Sequence, residues 1–539
     1  MATAPPASKV DMPEVAMVTS EAAGSVTPTV EARELRPRFS ILSAIGIQFS
    51  ISATPLAVGV YITLILGAGG SPYFFYAFLV AATGQMLICI CLAEIASVFP
   101  HASGQVFWTA AMAPPKYARF LSYWNGACTT LGWIFADAGT FVFTANIWQS
   151  VMVIRNPSWE PHIWQIYLLS CGCATVGLIL NIWLFDYYPH VTRSMVVFIN
   201  LGTVYVLVAL LVRTHPKASA HTVFLDVINE TGWSSNGLVF LLCFLPGCIS
   251  VCCFDTAAHM AEEMDDPARQ VPLVMVGGSL LCACTAIPMI LVYLFCTYNP
   301  VALLEPIGGQ PIFQVFNDGF KSDALLVVAM IIYCIAYLSS CPATIATSSR
   351  LVWSFAKHGS LPFPRWFGYV HPKSQIPTNA VYFTVVVSLM VSLLLFGPST
   401  ILNGVFGAGA VCFFFSYGLP IWLNVGTWGR QLPKTRYFNL GRLSMPISIA
   451  AIAWQLLSVV FLCFPLYKPI TTTNMNWASA AAFVGLAIFM INWFAYAKRH
   501  YHAPKSLYVS ALHGPDGRHA GEVTHELSDS EQGAHNKIS

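Results

Sequence analysis

Leu245-Pro246-Gly247-Cys248-Ile249-Ser250-Val251-Cys252-Cys253-Phe254-Asp255 lies in an apolar run that is weakened from within. Pro246 has no amide hydrogen and Gly247 is a poor helix former. Earlier in the chain, Gly46-Ile47-Gln48-Phe49-Ser50-Ile51-Ser52-Ala53-Thr54-Pro55 repeats the pattern. There Ser, Thr and Pro fall near the middle of another apolar run, and Pro55 disfavours α geometry at Thr54. Broken backbone at membrane depth is tolerated only where protein or a cavity surrounds it. A proline kink between packed helices would explain either break alone. A matched pair at the head of each half points to an inverted-repeat transporter with a site near the midplane.

The rest of the chain agrees with a membrane setting. Of 539 residues, 56% are hydrophobic and only 9% charged, with mean hydropathy +0.64, far from the roughly 25% charge of soluble domains. The net charge of +2 gives no basic field for nucleic acid. Twelve apolar stretches are each long enough to cross a core of about 30 Å. They run over 40–66, 72–97, 118–150, 163–184, 194–212, 237–260, 271–297, 323–350, 377–397, 400–424, 446–466 and 476–497. The expected fold is therefore an all-α polytopic membrane protein with twelve transmembrane helices. The sixteen cysteines lie mostly inside these runs, Cys89, Cys91, Cys171, Cys173, Cys282 and Cys284 among them, and read as apolar filler. No Cys/His spacing suggests a metal site.

Placing both ends inside leaves Arg155, Arg213, Lys217, Lys321 and Lys468 as the outside share of the 26 Lys and Arg residues, so both termini are expected in the cytosol. Residues 1–38 and 498–539 read as disordered cytosolic tails. Scattered His513, His519, His525 and His535 have no metal-binding spacing. The sequon Asn229-Glu230-Thr231 falls in an expected outside loop, which makes Asn229 a glycosylation candidate.

Polar residues inside the apolar runs carry the chemistry. Asp137 lies mid-run with no Lys or Arg at its depth, so it must be protonated, face water or meet a mobile cation. Trp133 and Phe141, four residues either side, share its helical face. The three could form a carboxylate-plus-aromatic site for an amine or quaternary ammonium. A protonated Asp137 bonded to a neighbouring hydroxyl or carbonyl fits equally well. Ser339, Ser340, Thr344, Thr347 and Ser348 make the eighth stretch hydroxyl-rich, suited to Na⁺, to substrate or to helix packing.

Four motifs in order carry a resemblance. Leu92-Ala93-Glu94-Ile95-Ala96-Ser97-Val98-Phe99-Pro100-His101-Ala102-Ser103-Gly104-Gln105 is followed by Ala113-Pro114-Pro115 and Phe120-Leu121-Ser122-Tyr123-Trp124-Asn125-Gly126. Phe254-Asp255-Thr256-Ala257-Ala258-His259-Met260-Ala261-Glu262-Glu263 precedes Asp266-Pro267-Ala268-Arg269-Gln270-Val271-Pro272. Thr347-Ser348-Ser349-Arg350-Leu351-Val352-Trp353-Ser354-Phe355-Ala356 leads to Leu361-Pro362-Phe363 and then Ile376-Pro377-Thr378-Asn379-Ala380. Over roughly residues 39–500 the chain resembles the amino acid–polyamine–organocation superfamily, and within it the fungal amino acid/choline permeases. It departs from the pattern at Ser103, at Cys253-Phe254, at Lys357-His358 and at Asp137.

The resemblance implies a leucine-transporter-like fold, a 5+5 inverted repeat plus two helices. The repeats would span 39–212 and 237–424, with helices eleven and twelve over 446–497. It implies a solute site at Ser50, Ile51, Ser52, Ala53 and Thr54 and at Ser250, Cys252, Cys253 and Phe254, to which the residue reading above adds Trp133, Asp137 and Phe141. Asp255 would serve proton linkage or inner gating. Glu94, Glu262, Glu263 and Arg350, with Ser339 and Ser340, are the other coupling and gating candidates.

The expected function is a permease that moves a small nitrogenous solute by alternating access, such as an amino acid, γ-aminobutyrate, choline or a polyamine. No GxxxxGK[ST] occurs, so ATP does not drive this chain directly. H⁺ is the preferred coupling ion and Na⁺ the alternative, with no other cofactor. A nutrient sensor of the same fold and an exporter of an amine metabolite stay open, whereas a membrane enzyme lacks any nucleophile–base constellation. Beyond solute and lipid bilayer, the expected partners are trafficking or ubiquitination proteins on the tails. The plasma membrane is the expected location.

Overall fold

A computed structural model describes residues 35–429, 432–433, 436–472 and 474–504. The chain is helical along most of this length. In order the helices are α1 (Ile41–Ser52), α2 (Thr54–Ala57), α3 (Gly70–Val98), α4 (Gln105–Met112), α5 (Pro115–Arg155), α6 (Ile163–Ile182) and α7 (Tyr188–Arg213). There follow α8 (Ala220–Phe224), α9 (Asn236–Leu242), α10 (Leu245–Ser250), α11 (Thr256–His259), α12 (Pro267–Cys296), α13 (Pro311–Phe320) and α14 (Asp323–Lys357). The last are α15 (Pro364–Phe367), α16 (Thr378–Ser392), α17 (Ser399–Gly426), α18 (Ser444–Leu462), α19 (Ala478–Asn492) and α20 (Lys498–His500).

Among the described residues, ten helical segments are long and apolar enough to cross a membrane. They occupy ten of the twelve expected stretches. The third is α5, a helix of 41 residues whose Thr129, Thr130, Asp137 and Thr144 are buried inside the bundle. The sixth is broken into α9, α10 and α11. Lipid-facing positions show large apolar side chains, among them Leu201, Val204 and Val208 on α7 and Phe483, Ile488 and Ile491 on α19. In water such surface would be an aggregation hazard, but against acyl chains it costs nothing.

The two expected breaks are both present. α1 starts under a Ser40 cap and stops at Ala53, whose φ of 37° and ψ of 38° are left-handed. Pro55 then opens the single turn of α2, and the chain continues as a 3₁₀ helix over Val58–Ile65. α10 ends at Val251, and Cys253 takes a φ of 60° before α11 begins. A side chain at φ > 0 costs roughly 1–2 kcal/mol, so tertiary contacts must hold both turns. The hydroxyl of Thr54 donates to the carbonyl of Ser250 at 2.8 Å, which binds one break to the other. Tyr293 on α12 donates to the Pro55 carbonyl at 3.1 Å and Tyr333 on α14 to that of Leu56 at 3.0 Å. Gln85 on α3 serves the Cys248 carbonyl at 2.6 Å.

Each broken helix also packs with its backbone close to a neighbour. A Cβ on Gly46 would stand 2.4 Å from the Thr192 carbonyl oxygen of α7, and one on Gly247 2.5 Å from the Ala81 Cβ of α3.

Neither expected tail is loose at its membrane end. Leu35 is buried, and the amides of Arg38 and Phe39 both donate to the Glu263 carbonyl at 2.8 and 3.1 Å. At the other end Tyr501 is buried and the His502 amide donates to the His358 carbonyl at 2.9 Å. The reason is unpaired backbone at 263 and 358, which the flanking segments complete. The four tail histidines His513, His519, His525 and His535 lie outside the described residues.

All sixteen cysteines are free thiols, most of them buried, as expected of apolar filler.

Candidate functional site

Where the two breaks meet, the helices leave a cavity of about 180 Å³. Ile51, Ser52 and Ala53 of the first break and Ser250, Cys252 and Cys253 of the second line it. α5 contributes Phe135, Ala136, Gly139, Thr140 and Phe143; α14 contributes Tyr337, Ser340 and Thr344; α17 contributes Phe406 and Phe413. With Tyr61, six aromatic rings surround the space. Among the described residues no Asp, Glu, Lys, Arg or His lines it.

Free polar groups lie at its wall. The Ser250 hydroxyl is buried without a hydrogen-bond partner. Among the described residues, the amides of Cys252, Cys253 and Phe254 donate to no backbone carbonyl. Such unspent N–H groups at an interrupted helix donate readily to anionic or carbonyl oxygen.

Other expected site residues lie behind this wall. Ser50 is buried with its hydroxyl unpartnered, and Thr54 is committed to Ser250. Phe254 is buried against the Tyr417 ring at 4.7 Å. Trp133, Asp137 and Phe141 are fully buried and outside the cavity lining, so the expected face of α5 is not the one that faces the hollow. α5 is buried on several sides, and the adjacent face, carrying Ala136 and Thr140, lines the space instead.

Next to the second break stands a group that the sequence reading only half anticipated. Asp255 is fully buried, with four hydrogen-bond partners on its carboxyl. Tyr417 of α17 donates to Oδ1 at 2.7 Å. Gln105 of α4, Trp133 of α5 and His259 of α11 meet Oδ2 at 2.8, 3.1 and 3.1 Å. The other ring nitrogen of His259, Nδ1, lies 2.8 Å from the Ala102 carbonyl oxygen. A carbonyl only accepts, so Nδ1 carries a hydrogen. Nε2 then either donates as imidazolium or accepts from a protonated Asp255. Three further donors on the carboxyl favour the anion. The pair thus shares one proton in a sealed spot. His259 was not among the expected site residues, although its spacing of four from Asp255 on one helical face was visible.

Expected gating residues split into two clusters. Glu263 and Arg350 form a buried pair at 2.8 Å, and the Arg350 guanidinium lies 4.5 Å from the Phe185 ring centre. Arg38 bonds Asp186, lies over the same ring at 5.5 Å, and is lowered from its usual range mainly by burial. Glu94 instead holds the α17–α18 connection: its oxygens accept from Arg436 at 2.5 Å, the Leu440 amide at 2.9 Å and Ser444 at 2.5 Å. Glu262 is half-buried beside Glu263. Ser339 is back-bonded to Ala336 at 2.7 Å, while Ser340 reaches the cavity. Asn229 is half-buried, its amide donating to Trp233 and Asn236 and its carbonyl accepting from Thr231.

Comparison with known proteins agrees with this architecture. A profile of the family described as amino acid permease matches residues 39–489. A choline transporter of Saccharomyces cerevisiae is 28% identical over 87% of this chain and 83% of its own. A swainsonine transporter of Arthroderma benhamiae is 27% identical over 90% and 96%. Amino-acid permease 2 of Neurospora crassa is 26% identical over 86% of each chain.

Proposed function

The chain belongs to the amino acid permease family, membrane transporters of small organic solutes and not enzymes, and from that premise we propose that its solute bears a positively charged nitrogen, with choline the first compound to test. The supporting observation is the cavity itself: six aromatic rings and no ionised side chain in its wall. Aromatic faces attract quaternary and protonated amines, and by about 2 kcal/mol or more once water is excluded. The free amides at 252–254 support a second reading, an amino acid or γ-aminobutyrate whose carboxylate they would receive.

Transport is by alternating access about the paired breaks, driven by H⁺, with the Asp255–His259 pair as the place where a proton is exchanged. Both termini face the cytosol, at the plasma membrane, so the Arg38–Glu263–Arg350 cluster closes the inner end. Flux, not signalling alone, is the activity.

The test is uptake of labelled choline in transporter-deficient yeast, competed by a panel of amines and amino acids. Choline or another amine without a carboxylate should compete best, and a proton ionophore should abolish uptake. Competition by neutral amino acids alone would overturn the cation reading in favour of the second. Uptake that ignores the ionophore but follows Na⁺ would overturn proton drive. A small cationic thiol reagent should inactivate the wild type, with the solute protecting, and should spare the Cys252→Ser/Cys253→Ser double variant.

A further inference from the structure

Asp137 stands in the middle of α5 with no solvent exposure, and neither carboxyl oxygen has a hydrogen-bond partner. The polar groups that bear on it are the hydroxyls of Ser348 and Thr344 on α14 and Ser388 on α16. Each of these has already placed its hydrogen. Thr344 donates to the Cys341 carbonyl at 3.1 Å, Ser348 to that of Thr344 at 2.8 Å, and Ser388 to that of Ile134 at 3.4 Å. A hydroxyl has one hydrogen, so each of the three can donate to Asp137 only by giving up the carbonyl it now serves.

A carboxylate sealed among hydroxyls is unsustainable without positive charge beside it. α5 packs against α4, α6, α14, α16, α17 and α19. No Lys, Arg or His of these helices bears on Asp137 among the described residues. The titratable neighbour is the Cys341 thiol of α14, which brings no positive charge. Turning the hydroxyls round would supply donors but leave the charge uncompensated.

We propose that Asp137, Thr344, Ser348 and Ser388 form a binding site for a monovalent cation, H⁺ or Na⁺, set behind the wall of the solute cavity. A proton makes Asp137 a donor to one of the hydroxyl oxygens. A sodium ion takes oxygen from each of the four side chains, the ligand type that hard cations select. Thr344 belongs to both sites, since it lines the cavity and bears on Asp137. Occupancy behind the wall therefore sets the hydroxyl that a solute meets in front of it. The coupling rests on the transporter reading above, whereas cation binding does not.

The experiment uses the full-length protein in nanodiscs without organic solute. Thermal unfolding is followed while NaCl replaces N-methylglucamine chloride at pH 8, and separately from pH 8 to pH 5 without Na⁺. Wild type minus Asp137→Asn should show a midpoint rise of several degrees with Na⁺, which identifies sodium, or with acid alone, which identifies the proton. Ser388→Ala keeps the carboxyl and guards against a misfolded Asp137→Asn. It should raise the half-maximal cation concentration about tenfold. The site is refuted if Asp137→Asn follows wild type in both series, or if Ser388→Ala leaves the half-point unmoved. Lost cation response with unchanged choline competition, or the converse, separates failure of this site from failure of the solute reading.

Discussion

Asp255 receives donors from four separate helices, and His259 passes the contact on to the turn at Ala102. Replacing Asp255 by Asn removes the buried carboxylate on which His259, Gln105, Trp133 and Tyr417 converge, a loss of about 3–5 kcal/mol. Uptake by Asp255→Asn should therefore fall at least tenfold with protein still present in the membrane, and its thermal midpoint should drop. Normal uptake would mean that Asp255 is already neutral. Tyr417→Phe deletes one charge-assisted bond and should cost less, roughly 1.5–3 kcal/mol. The sequence disclosed Asp255 because a carboxyl in an apolar run is conspicuous. It hid the donors because Gln105, Trp133 and Tyr417 converge only after three other helices have packed. At Asp137 the residue was legible and its surroundings were not: spacing on α5 groups it with Trp133 and Phe141, yet only packing decides which face meets the hollow.

At the scale of elements, proline and glycine made the breaks readable. The rings of Tyr61, Tyr337, Phe406 and Phe413 come from three segments whose apolar patterns look like any other lipid-crossing helix, so no local signal marks them. The close approaches of α1 to α7 and of α10 to α3 are equally silent beforehand. They now carry a prediction. Gly46→Val and Gly247→Val each push a side chain into a neighbouring helix, and overpacking of this kind costs about 1–3 kcal/mol. Both variants should lower the thermal midpoint and slow uptake, whereas Gly172→Val, with open space around its Cβ, should do neither.

At the scale of the whole molecule, one region of the bundle gathers three ion pairs: Arg38 with Asp186, Arg350 with Glu263, and Arg436 with Glu94. The turn at 99–104 belongs to the same region. There His101 is stacked on Phe107 at 4.7 Å, and its Nδ1 accepts from the Ser103 amide at 2.9 Å. Burial, with Lys357 and His358 adding repulsion, lowers His101 to about 3, and burial with Lys357 and His502 lowers His358 to about 4. An unfolded histidine takes its proton near pH 6.5, which the folded ring refuses, so this stability is complete above that pH and fades below it. From pH 7 to pH 5 the loss should be roughly 1–2 kcal/mol for His101. His101→Gln should show a smaller acid-induced fall in thermal midpoint than wild type.

The hydrogen bond from Thr54 to Ser250 has one more consequence. Two fractured rods fastened to each other at the fracture form a single joint, so tilting either rod on its own must first tear that clasp.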